Sequence, residues 1–364
     1  MKIGMVIIRR VKPIPYWIIP IIALLTGIAI SIIILYALVG ASPVAVLNAI
    51  VYGFTRPGVM AQTFVALTIV GIALLVSFKG SIWNIGGEGQ ITFGIMAATW
   101  VALFTVLPSI NPGLAQISMI VMGMLAGALW AFLAALPRAY LGLDEVPITL
   151  IMNYIAYYIV DILVRGPWLG KHVYNYIRTD IIPSQVMFPQ VPGTTMTWDG
   201  FLLMIILFIA VWYMLKNTAI GLRIRILGNN PDLLRSSGIS VPRMIILALT
   251  ISGLIAGSVG ALYLGGVIYR ISYPIESHTA NYGYTGILVA WLSMLELIAV
   301  PLAAYIVSAL YTAGIQYQVL VGGHLTQLLT AGSAIVDVFI GSILLMYTIL
   351  ITVSEYKIRI IIKR

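Results

Sequence analysis

The chain has 364 residues, 61% of them hydrophobic and only 9% charged, with a formal net charge of +9 and a mean hydropathy of +1.06. No soluble domain of this size needs that apolar content, so the class is a polytopic membrane protein. The absence of cysteine excludes disulfides and cysteine-based metal or redox chemistry.

Taken in order, the apolar segments predict an all-α polytopic membrane protein of ten helices at approximately 16–40, 61–78, 90–108, 114–136, 147–165, 199–216, 243–269, 283–295, 297–313 and 325–353. The first segment, Tyr16–Gly40, lacks the short apolar core and small-residue cleavage site of a signal peptide and reads as a retained span. With the N-terminus inside, only Arg56, Arg165, Lys171, Arg178 and Arg270 of the 20 Lys and Arg residues fall outside. That bias follows the positive-inside rule and predicts both termini in the cytoplasm. The basic balance is a topology signal and does not point to nucleic acid. The whole of 1–364 reads as a single transmembrane domain.

Between the second and third segments lies Ser77–Gln90, SFKGSIWNIGGEGQ. A charge at membrane depth costs ~2.5–3.5 kcal/mol and faces protein or water. Non-helical backbone there is tolerated only beside protein or a cavity. Asn84, Glu88 and Gln90 are therefore candidate substrate-path residues, their amides suited to hydroxyl-rich or base-bearing solutes. The alternative is a structural role, with Glu88 satisfied by backbone N–H groups of the glycine-rich break.

The fourth segment carries Gly123, Ala126, Gly127 and Ala128, and the seventh carries Gly253, Ala256, Gly257, Gly260 and Ala261. Close helix approach needs such residues, so these read as packing faces. ALTIVG at 66–71 and ALTISG at 248–253 form a weak internal echo. On the fifth segment Asn153 and Tyr157 share a face at i, i+4 spacing, as a polar stripe toward the path. An interhelical hydrogen bond from Asn153 explains it equally. Trp83, Tyr282, Tyr284 and Trp291 have faces suited to stacking on a sugar or nucleobase, while each individually reads as a packing or belt aromatic.

Two connections stand out. Gly166–Gly200 is polar and proline-bearing and reads as an external loop. Thr218–Pro242 is the largest predicted cytoplasmic loop. In it Asn230 suits a helix cap, Pro231 the first helical position, Asp232 the dipole and Gly238 the C-terminus. So short a helix cannot stand alone. Leu233 and Leu234 can enter a partner's groove, framed by Arg223, Arg225 and Arg235, or the loop can rest on lipid headgroups. Further on, Asp337 and His324 are polar outliers. The AGS triplets at 256–258 and 331–333, with His324 as base, lack the context of a serine protease.

GLRIRILGNNPDLLRSSGIS followed by ISGLIAGSVGALYLGG resembles the signature region of ABC-importer permeases of the nucleoside, simple-sugar and branched-chain amino acid branch. SFKGSIWNIGGEGQ, GLDEVPITLIMNYIA and YTGILVAW resemble further blocks of that family, in family order across 77–291. The resemblance implies that Pro231–Gly238 is the coupling helix seated in an ATPase groove. It also implies partners: ABC ATPase subunits, a second and shorter permease, an extracytoplasmic solute-binding protein and the bilayer of the cell membrane. No G-x-x-x-x-G-K-[ST] run occurs, so ATP and magnesium are expected on the ATPase chains, and no cofactor, metal or catalytic residue on this one. The expected function is ATP-driven import of a nucleoside or simple sugar by alternating access. The alternative is a proton-coupled secondary transporter working through Glu88, Asp161 or Asp337.

Overall fold

The computed structural model describes residues 2–9, 15–171, 176–321 and 334–363. Among them the chain is helical almost throughout. In order the helices are α1 (Ile18–Val39), α2 (Pro43–Thr55), α3 (Pro57–Lys79), α4 (Gly87–Phe104), α5 (Leu107–Ile110), α6 (Pro112–Leu141) and α7 (Glu145–Arg165). There follow α8 (Trp198–Asn217), α9 (Ala219–Asn229), α10 (Pro231–Ser236), α11 (Val241–Tyr263), α12 (Tyr282–Leu292), α13 (Val300–Val321) and α14 (Ala334–Glu355). His324, Ser333 and the first residues of the tenth predicted helix lie outside the described residues.

Each predicted helix has a helical counterpart, but among the described residues eight helices, against the ten expected, are long and apolar enough to cross a membrane. The two that fall short are α4 and α12. At 11 residues α12 extends about 16 Å, half the roughly 30 Å hydrocarbon core. α4 gives its first four positions to Gly87–Gln90. A further helix, α2, went unpredicted. It is 13 residues long and lies beneath the length that marks a span.

The expected single domain packs as two compact units. One comprises Met1–Thr55 with Leu310–Arg364, the other Arg56–Ala309. In the first, α1 lies against α14, with Ser31 donating through Oγ to Val338 O at 3.3 Å. Its buried cluster includes Leu35, Val46, Ala313, Ile335 and Phe339. The chain ends add an unpredicted antiparallel ribbon, β1 (Lys2–Arg9) with β2 (Tyr356–Lys363), Lys2 opposite Lys363. Both strands are rich in Ile, which favours extended backbone and is indistinguishable by hydropathy from a lipid-facing helix.

The second unit is built round α3, α4, α6 and α11. Glycines bring the last three close. A Cβ at Gly94 would meet Gly257 O at 2.1 Å, and one at Gly253 would meet Gly127 O at 2.4 Å. The small-residue faces are thus contact surfaces. Fourteen of the middle residues of α3, from Val65 to Phe78, are buried without interruption. The connection 166–200 lies beside the end of α11. Thr179 N donates to Ile271 O, Ile182 N to Tyr269 O and Phe188 N to Gly265 O, each at 2.9 Å.

Candidate functional site

After Lys79 the chain leaves the helix through Gly80 and Ser81, whose φ of 54° lies in the left-handed region, and resumes at Gly87. Between them the chain is irregular, with Asn84 N donating to Ile82 O at 3.1 Å, and burial alternates along it. Ser81 and Trp83 are exposed and Ile85 half-buried, whereas Ile82, Asn84 and Gly86 point inward.

Unwound backbone inside a membrane must find partners for its polar groups. Here they come largely from one face of α7. Glu145 Oε1 accepts from Trp83 N at 2.9 Å, Thr149 Oγ1 from Ile85 N at 3.2 Å, and Asn153 Oδ1 from Gly89 N at 2.8 Å. These three residues are spaced i, i+4, i+8 and so form one stripe. Asn153 Nδ2 also donates to Ile85 O and to Tyr284 Oη, each at 3.0 Å. Glu145 Oε2 lies 2.9 Å from Arg138 Nε at the end of α6.

The inward amides complete the frame. Asn84 Nδ2 donates to Gln90 Oε1 at 3.1 Å and to Ser252 Oγ on α11 at 2.9 Å. Gln90 Nε2 returns a bond to Asn84 Oδ1 at 2.9 Å, and Gly86 N donates to the same oxygen at 3.1 Å. Asn84, Gln90, Asn153 and Ser252 are all buried.

Glu88 stands in the first turn of α4, where α12 also begins. Its Oε2 accepts from Gly283 N at 2.7 Å. A Cβ at Gly283 would lie 2.1 Å from Glu88 N, so only glycine lets the two helix starts touch. α12 then runs back along the break. Its end places Trp291 edge-on to Trp83 at 5.8 Å, and Glu296 beyond it pairs with Lys79 at 3.2 Å. One carboxylate thus sits at two helix N-termini, each carrying roughly half a positive charge.

The elbow formed by α9 and α10 rests on the same break. Gly228 packs so closely that a Cβ there would meet Lys79 O at 2.2 Å, and Ser81 Oγ donates to Gly228 O at 2.9 Å. Asn230 Oδ1 accepts from Asp232 N and Leu233 N, each at 3.2 Å, and caps α10. Gly238 follows with φ 73°. Asp232 and Arg235 pair on the surface at 2.7 Å. Of the two leucines, Leu233 is half exposed and Leu234 is buried in its own chain. Adjacent positions on a helix point about 100° apart, so only one could face outward. Arg223, Arg225 and Pro231 are exposed.

The structure brings Asn84, Glu88, Gln90 and Asn153 together round the break, with Tyr157 buried one turn further along α7. It leaves Asp161 apart, accepting from Ile275 N at 2.9 Å, and Asp337 exposed on α14. Sequence reasoning missed Glu145, Thr149 and Ser252. The signal was present as a polar residue every fourth position in EVPITLIMN, but it acquires meaning only beside the break whose N–H groups it receives.

Residues 58–350 match the family model described as branched-chain amino acid transport system / permease component. The chain is 29% identical to a nucleoside ABC transporter permease protein of Lactococcus lactis, over 69% of this chain and 70% of that one. It is 26% identical to a guanosine ABC transporter permease protein of Bacillus subtilis over 96% and 97%. A glucose ABC transporter permease protein of Haloferax volcanii is 25% identical over 85% and 84%. With four-fifths of its length matched, from the start of α3 into α14, the chain belongs to the permease-component family of branched-chain amino acid transport systems.

Proposed function

We propose that this chain is the permease subunit of an ATP-driven ABC importer that carries a nucleoside or simple sugar across the cell membrane by alternating access. The observation that carries the reading is its similarity, along 69–96% of its length, to permeases named for nucleosides, guanosine and glucose. ATP and magnesium belong on separate ATPase chains, and this chain holds no cofactor of its own. A second permease supplies the other half of the path, and an extracytoplasmic binding protein delivers solute. Both chain termini and the elbow lie on the cytoplasmic side.

In this reading the elbow Arg223, Arg225, Pro231, Asp232, Leu233, Leu234, Arg235 and Gly238 is the coupling element. Leu233 enters the ATPase groove, and Leu234 anchors α10 to its own chain. Asn84, Glu88, Gln90, Asn153 and Tyr157 form the frame of the path wall. Its face is the outward edge of the break, where Trp83 is 40% exposed and offers an aromatic surface to a nucleobase or sugar ring. The proton-coupled alternative is not favoured. Of the carboxylates it would use, Glu88 and Asp161 each accept a backbone N–H, and Asp337 is exposed on α14.

The test is uptake in proteoliposomes holding the assembled transporter, with ATP on the ATPase side. Uptake of a nucleoside or hexose should require ATP and cease with a hydrolysis-dead ATPase. Uptake by the permease alone under a pH gradient would overturn the proposal.

A further inference from the structure

Three spans end around one cleft of about 260 Å³. They are Pro57–Lys79, Trp198–Asn217 and Leu297–Val319. Lys79, Lys216 and Arg225 line it, with Glu296 as its one acid. Lys79 is already paired with Glu296 at 3.2 Å. Lys216 and Arg225 have no carboxylate at ion-pair distance among the described residues, so the cleft keeps two uncompensated positive charges. Its other wall is apolar and open, with Trp212 38% and Ile298 73% exposed. The Lys216 ammonium stands 5.4 Å over the Trp212 ring.

Trp and Lys at the end of a span mark the boundary between hydrocarbon and headgroups. A ligand fitting this cleft carries an anionic group at one end and an apolar body at the other. A free phosphate would use the cations and leave the apolar wall in water. We propose that the cleft binds an anionic phospholipid of the adjoining leaflet, its phosphate between Lys216 and Arg225 and its acyl chains along Trp212 and Ile298. Because Arg225 lies on α9, an occupied cleft holds the elbow against the end of α3. The inference rests on the cleft's own cations and apolar wall and needs no ATPase to be present, so the chain alone tests it.

The full chain is placed in nanodiscs of phosphatidylcholine with or without phosphatidylglycerol, and retained lipid is read by native mass spectrometry. Phosphatidylglycerol should be retained in preference to phosphatidylcholine. Lys216→Gln and Arg225→Gln should each weaken retention about fivefold, and together about 25-fold. Both side chains are exposed, so an unchanged thermal midpoint accompanies these losses. Lys216→Arg, which keeps the charge, should retain the lipid. Equal retention of both lipids, an unaffected double variant, loss in Lys216→Arg, or displacement by inorganic phosphate would each overturn the proposal.

Discussion

At the scale of single residues, Glu145 separates two roles. It accepts the Trp83 N–H and pairs with Arg138, whose side chain is 35% exposed. A pair open to solvent on one side contributes only about 0–1 kcal/mol. An orphaned buried N–H costs about 1–3 kcal/mol. Glu145→Gln keeps an acceptor for Trp83 and should lower the unfolding free energy far less than Glu145→Ala. Equal losses in denaturant titrations would deny the backbone bond its weight. The two leucines of α10 divide in the same way. Leu234→Ala opens a buried site and should cost about 2–5 kcal/mol. Leu233→Asp should leave stability within about 0.5 kcal/mol and abolish co-purification of the ATPase. An ATPase retained by Leu233→Asp would remove α10 from the coupling interface.

At the scale of elements, the break and the elbow act as one body. Gly228 lies against Lys79 O, and Ser81 bonds to Gly228, so a displacement of α10 reaches the start of the break through one glycine contact. Gly228→Val drives a branched side chain into that carbonyl, and overpacking of this kind costs about 1–3 kcal/mol. The assembled transporter should still hydrolyse ATP while uptake falls, because the elbow has been pushed off its seat. Undiminished uptake per ATP hydrolysed would disprove the link. The elements were unequally legible in the sequence. Asn230 and Pro231 announced α10 through capping chemistry, which is local. The break announced itself because four glycines and a carboxylate interrupt an apolar run. The partners of the break are not local. Ser252 is 168 positions from Asn84 and Gly283 is 195 from Glu88. Nothing in either segment identifies the other, and α2 stayed hidden because a 13-residue apolar helix lacks the length of a span, although Ser42 and Pro43 carry a start signal like that of α10.

At the scale of the whole molecule, hydropathy located every long helix because lipid demands apolar length, yet it could not tell a span from a helix that starts inside the protein. That distinction bears on cargo. α4 and α12 begin face to face, and two bare N-termini would together present about one positive charge, the arrangement that receives anionic groups in transporters with broken helices. Here the chain supplies its own anion. Glu88 is buried at the junction and accepts from Gly283 N, so an ionised Glu88 opposes the positive ends of both helices. For the proposed importer of a nucleoside or simple sugar, the expected cargo is then uncharged. A nucleoside or hexose should compete for uptake, while the corresponding monophosphate at the same concentration should not. Glu88→Gln keeps an oxygen for Gly283 N but removes the charge, so it should fold and should let the monophosphate begin to compete. A monophosphate that competes equally well with the unaltered chain would show that Glu88 holds two helices together and sets nothing about the solute.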